Sequence, residues 1–227
     1  MANESESSEF VPQVEKFILI CATGRSGSTS LQRIINLIPN SNITGEKNGV
    51  IEDLLLTYKK IKNIIHTTLM TYEEIKIANI KPAWYNCYDI EEVRKNIKKT
   101  IVSILTKNNC NYRVLGYKEI RWCNNLHLLD EFLELFPNTK IICHLSDNLD
   151  KQICSDWWSE DKEASRIHLL KYNEQLIQRA SNDRTNCYLS YMKNLFDVEE
   201  VKKMFLFLEE PFEDETGYNF IINNNLG

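Results

Sequence analysis

The sequence predicts an α/β fold of three layers, a mainly parallel sheet flanked by helices. Three observations predict it. Residues 17–22, FILICA, form a short continuous apolar run rich in β-formers, as a strand buried on both faces requires. The turn that follows, TGRSGSTS, passes straight into helical periodicity. Beyond it, strand-like and helix-like segments alternate over most of the chain, the pattern of a parallel sheet covered by helices.

After the turn, Leu31, Ile34, Ile35 and Ile38 recur at i, i+3, i+4 and i+7, and Pro39 closes this amphipathic helix. SNITGE at 41–46 reads as a short extended piece. Residues 49–69 and 89–107 carry helical patterns with Lys-rich outer faces. RVLGY at 113–117 is a strand, and 125–136 a helix stopped by Pro137. KIICHL at 140–145 is the next strand, 148–158 and 163–180 are helices, and NCYLSY at 186–191 is the last strand. Residues 198–208 form a helix, with Asp197 and Glu200 at capping-box spacing. The tail, 219–227, carries no usable signal.

A chain of 227 residues is long enough for one sizeable core, so the expectation is a loose acidic, Ser-rich segment 1–15 followed by a single domain, 16–227. A net charge of -5 argues against a general nucleic-acid binder, which needs a basic face. No apolar run approaches the ~20 residues of a membrane span, and the first residues lack the pattern of a leader, so a cytoplasmic protein is expected. Cysteines at 21, 87, 110, 123, 143, 154 and 187 make no CxxC pair, and most read as small buried hydrophobes in a reducing compartment, with no metal site. NIT at 42–44 matches a glycosylation sequon by chance.

The loop after the first strand is where the chemistry concentrates. A strand, a tight turn and a helix aim free backbone N–H groups and the positive end of the helix dipole at whatever sits in the turn. Gly24 and Gly27 permit close backbone approach, Ser26, Ser28, Thr29 and Ser30 add hydroxyls, and Arg25 offers a planar fork for an oxyanion. A helix cap alone would need one such hydroxyl. A nucleotide kinase would need GxxxxGK followed by Ser or Thr, and the Lys is missing.

ATGRSGSTSLQRIINLIPNSNITGE resembles the 5′-phosphosulfate loop and following helix of sulfotransferases that use 3′-phosphoadenosine-5′-phosphosulfate (PAPS), in the carbohydrate-directed style. VLGYKEIRW at 114–122 is similar to the middle strand of that family, and FPNTKIICHLSDNLDKQICSDWW at 136–158 to its 3′-phosphate strand, loop and helix. VEEVKKMFLFLEEPF resembles its C-terminal helix. The matches run in order from about 17 to 212, leaving 46–112 unmatched.

The resemblance implies a P-loop-like fold, PAPS as co-substrate, no metal, and a carbohydrate or other hydroxyl-bearing acceptor. It implies that Arg25, Ser26, Gly27, Ser28, Thr29 and Ser30 bind the 5′-phosphosulfate and that Ser155, early in its helix, contacts the 3′-phosphate. The family strand ends in an Arg where this chain has Ser146 or Asp147; Lys151, His144 or Arg166 are the candidates to replace it. A protein that kept the loop without turnover, or a P-loop-like kinase, are the alternatives.

Transfer to a hydroxyl needs a base. Glu46 in TGE is the first candidate, since carbohydrate-directed relatives use a Glu, and His66 the second, since relatives with small acceptors use a His. Lys118 would stand at the C-terminal end of a strand, where α/β sheets bind ligands, and reach the sulfate or acceptor. Glu119 and Arg121 alternate with it, so some of the three must face elsewhere. His127 and His168 fall within helices and are structural. Of Trp84, Trp122, Trp157 and Trp158, core packing is the default and stacking on a sugar or adenine the alternative.

Overall fold

The computed structural model describes residues 14–65, 76–77, 89–106, 110–155, 158 and 161–225. Five strands, β1 (Lys16–Ala22), β2 (Ser41–Thr44), β3 (Val114–Glu119), β4 (Thr139–Leu145) and β5 (Cys187–Tyr191), form one sheet in the order β2-β3-β1-β4-β5. All of its pairings are parallel. The chain leaves β1 toward β2 on one side and leaves β4 toward β5 on the other. The C-terminal ends of β1 and β4 therefore flank a topological switch point, the place where open α/β sheets hold ligands.

Helices cover both faces. Alternate residues of the strands, Leu19, Cys21, Tyr117, Ile141 and Cys143 among them, pack against α2 (Val50–Ile65), α3 (Ile90–Leu105), α4 (Leu129–Leu135) and α6 (Lys162–Asn182). Ile18, Ile20, Ala22, Val114 and Ile142 face α1 (Ser28–Ile35), α7 (Val198–Phe207) and α8 (Glu215–Asn225). The three-layer expectation holds. Gly116 lies where β3 runs tightest against β1: a Cβ there would stand 1.9 Å from the Ile18 carbonyl oxygen.

Several elements differ from expectation. β3 ends at Lys118 and Glu119, so Lys118 stands at the C-terminal end of the strand as expected; what differs is that both are buried, with tertiary partners satisfying their charges. The helix expected at 125–136 begins as 3-10 turns at Arg121–Asn124 and Leu126–Leu128 and is α-helical only over α4. The helix expected at 148–158 is the short α5 (Leu149–Ile153), capped by the Asn148 side chain. Asp197 caps α7 by accepting the Glu199 N–H, whereas Glu200 turns to the Asn194 amide and Lys203, so the capping box does not close. The tail forms α8, anchored by buried Tyr218 and Ile221.

Cys21, Cys143 and Cys187 are buried as expected, but Cys110 and Cys154 are exposed. Among the described residues no helix is long and apolar enough to cross a membrane. Of the expected loose segment only Val14 and Glu15 are described; His66, Trp84 and Trp157 lie outside the described residues.

Candidate anion-binding active site

Where β1 ends, the chain turns through 23–27 into α1. Arg25 has φ 63° and Gly27 φ 85°, both left-handed. Such a backbone costs a non-glycine residue about 1 kcal/mol, so Arg25 is held there by its surroundings. At Gly27 a Cβ would also fall 2.0 Å from Met192 Sδ, so a side chain there needs Met192 to move as well as a strained backbone. Among the described residues, no backbone N–H from Gly24 to Thr29 finds a hydrogen-bond acceptor; Ser30 and Leu31 are the first to donate, both to the Gly27 carbonyl. A run of free N–H donors at a helix start is a site for an anion.

The hydroxyls divide. Ser26 Oγ is buried and donates to the Thr23 carbonyl at 2.8 Å, leaving its N–H for a ligand. Ser28 and Ser30 are buried in the first turn of α1, while Thr29 and the Arg25 side chain are exposed. From β4, fully buried His144 places Nε2 3.0 Å from the Ser26 carbonyl and Nδ1 3.1 Å from Ser190 Oγ. A carbonyl only accepts, so Nε2 carries the hydrogen and Nδ1 accepts from Ser190. Burial pulls the His144 pKa down to about 4, against the opposing pull of the Ser26 carbonyl, so the ring is neutral at pH 7. His144 is therefore not the replacement for a missing phosphate-binding Arg, as the sequence allowed.

Next to the loop, β3 and the end of β2 build an ionic group. Lys118 Nζ stands 2.6 Å from Glu46 Oε1, and Arg121 Nη1 3.3 Å from Glu46 Oε2. The two leading sequence candidates, Glu46 and Lys118, thus meet. Arg121 lies past β3 in a 3-10 turn that swings its guanidinium back, so the charges of Lys118, Glu119 and Arg121 converge despite strand alternation. Glu119, fully buried, organises them: it accepts the backbone N–H groups of Lys47, Ile120 and Arg121, and Arg121 Nη1 at 2.9 Å. Its role was not legible in the sequence, where a Glu between Lys118 and Arg121 reads as one more strand-end charge.

At the end of β4, the two positions where an Arg was expected are spent on the turn. Ser146 Oγ accepts the Asn148 N–H at 3.2 Å, and the Asp147 carboxylate accepts the N–H of Lys193 beyond β5. Arg166 pairs with Asp150, and Lys151 is exposed on α5. Because α5 ends at Ile153, Ser155 follows the helix rather than lying early in it; its Oγ is buried and finds no partner among the described residues, the state of a group that a ligand or water completes. Trp122 is core, 6.1 Å from the Tyr117 ring.

The model of the sulfotransferase family matches residues 18–205, which include the loop, the β3 group and the β4 turn. The chain belongs to the sulfotransferase family. Solved structures agree on the fold of this family member. The sulfotransferase domain of the Synechococcus PCC 7002 olefin synthase is 16% identical with a TM-score of 0.56, over 90% of this chain and 77% of that one. A sulfotransferase from Alicyclobacillus acidocaldarius is 13% identical with a TM-score of 0.50, over 93% and 90%. The sulfotransferase domain from the curacin biosynthetic pathway is 16% identical with a TM-score of 0.50, over 89% and 77%. Comparison with curated proteins gives no match.

Proposed function

We propose that this sulfotransferase moves a sulfuryl group from 3′-phosphoadenosine-5′-phosphosulfate to a hydroxyl of a carbohydrate. The observation that carries the proposal is the run of unpartnered N–H groups from Gly24 to Thr29, with the Arg25 fork beside it. These donors suit the 5′-phosphosulfate oxygens, with Ser28, Thr29 and Ser30 at the helix start. Sulfuryl transfer resembles phosphoryl transfer in being loose and in line, so positioning and oxygen stabilisation supply most of the rate. The acceptor oxygen bonds to sulfur as the bond from sulfur to the bridging phosphate oxygen breaks, and 3′-phosphoadenosine-5′-phosphate leaves. Glu46 takes the acceptor's proton, and Lys118, held against that carboxylate, faces the charge shifting between sulfuryl and leaving oxygens.

The test has two stages. Calorimetry with 3′-phosphoadenosine-5′-phosphate should show binding that Arg25→Ala weakens severely; no binding to the wild-type chain sinks the proposal. Labelled sulfuryl transfer to a glycan panel, with and without Glu46→Gln, then tests turnover. A binder without turnover is the second reading, favoured by Ser146 and Asp147 at the end of β4, and it predicts nucleotide binding with no transfer to any acceptor.

A further inference from the structure

The loop's free N–H groups raise the question of what keeps them pointed away from the protein. In a trans peptide the carbonyl of residue i and the N–H of residue i+1 point in opposite directions, and the chain has no cis peptide among the described residues. Fixing a carbonyl on one side therefore aims the next N–H to the other. In this loop two of the carbonyls are fixed from outside and one from within. Gln152, on α5 and 2% exposed, donates Nε2 to the Gly24 carbonyl at 2.6 Å and to Thr23 Oγ1 at 2.7 Å. His144, on β4 and fully buried, donates Nε2 to the Ser26 carbonyl at 3.0 Å, with its other ring nitrogen occupied by Ser190. The Thr23 carbonyl is taken by Ser26 Oγ. The Gly24 carbonyl precedes the Arg25 N–H, and the Ser26 carbonyl precedes the Gly27 N–H.

We propose that His144 and Gln152 are positioning residues for the anion cradle: by holding the Ser26 and Gly24 carbonyls they turn the N–H groups of Gly27 and Arg25 toward the bound anion. Neither touches the ligand. Both act across the switch point, from the strand and helix on the far side of the crevice, and so tie β4 and α5 to the loop after β1. The inference rests on the anion-binding role of that loop and does not depend on which nucleotide carries the anion. Gln152 Oε1, buried and without a partner among the described residues, fits a side chain oriented for its donor end.

Gln reaches as far as His through its Nε2, so His144→Gln keeps the donor, whereas His144→Leu removes it at similar volume; Gln152→Met does the same at the second contact. Inorganic pyrophosphate and 3′-phosphoadenosine-5′-phosphate would be titrated by calorimetry into the full chain and the three variants, with thermal unfolding alongside. His144→Leu and Gln152→Met should each weaken both ligands by about 10–100-fold, the scale of losing an outer orienting contact, while His144→Gln stays within about threefold of wild type. If His144→Leu does not fold, Gln152→Met tests the same loop from the other side. Binding by the donor-less variants within threefold of wild type overturns the proposal, as does a His144→Gln variant as weak as His144→Leu. Wild-type binding of pyrophosphate but not the nucleotide leaves the positioning role standing and removes the proposed donor; binding of neither overturns both.

Discussion

Lys118 Nζ donates to Glu46 Oε1 across 2.6 Å, joining the end of β3 to a residue 72 positions earlier, just past β2. The contact sets a carboxylate and an ammonium side by side at the C-terminal end of the sheet, from which the loop after β1 also emerges.

If Glu46 is the base, Glu46→Gln keeps its size but cannot take a proton. kcat for labelled sulfuryl transfer should fall about 10²–10⁴-fold, with nucleotide affinity little changed. A drop in affinity with kcat intact would instead make Glu46 a mere counter-ion for Lys118.

Gly27→Ala should lose nucleotide binding and stability together. The added methyl meets Met192 Sδ and the left-handed φ adds about 1 kcal/mol of strain. Adding Met192→Ala should restore space but not the φ, so calorimetry and urea unfolding should show partial rescue only.

Two buried groups give stability opposite pH dependences. Burial, with the nearby Glu119 charge adding to it, pushes the Glu52 carboxyl up from 4.5 to about 7, against its own backbone hydrogen bond. The folded state then binds the extra proton, so this contribution, on the order of 3 kcal/mol, is lost as pH rises from about 4.5 to 7. His144 is depressed from 6.5 to about 4, so the unfolded state binds the extra proton and stability is lost as pH falls through that window. Wild type should show a shallow profile in urea unfolding between pH 4.5 and 6.5. Glu52→Gln should expose a steady gain with rising pH, and an unchanged profile would rule out the raised carboxyl.

Ser146→Arg should strengthen binding of 3′-phosphoadenosine-5′-phosphate about tenfold over adenosine 5′-phosphate, because it returns a cation to the end of β4 at an incompletely buried position. Asp147→Arg should fail to do so, since it breaks the contact with the Lys193 N–H that ties the end of β4 to the chain beyond β5, whereas Ser146→Arg loses only a local bond to the Asn148 N–H two residues on. Calorimetry with the two nucleotides separates the outcomes.

The strands were legible where apolar β-formers run together, as in β1 and β4. The burial of Lys118 and Glu119 at the end of β3 was not, because the partners that satisfy their charges lie 72 residues away. α8 was missed because an Asn-rich stretch shows little periodicity and buries few residues, chiefly Tyr218 and Ile221. The loop's wealth of glycine, hydroxyl and Arg was readable from residue types alone, and the structure adds that its N–H groups from Gly24 to Thr29 have no acceptor among the described residues. Its supports, His144 and Gln152, lie 118 and 128 positions from the carbonyls they hold, and nothing in their local sequence marks them.

If the loop is the anion site proposed above, the clamped carbonyls at Thr23, Gly24 and Ser26 mean that the directions of its N–H groups are already fixed before a ligand arrives. Ligand capture is then a one-step encounter. In stopped-flow mixing, the observed rate should climb in proportion to nucleotide concentration without levelling off, since no slow rearrangement has to precede or follow contact.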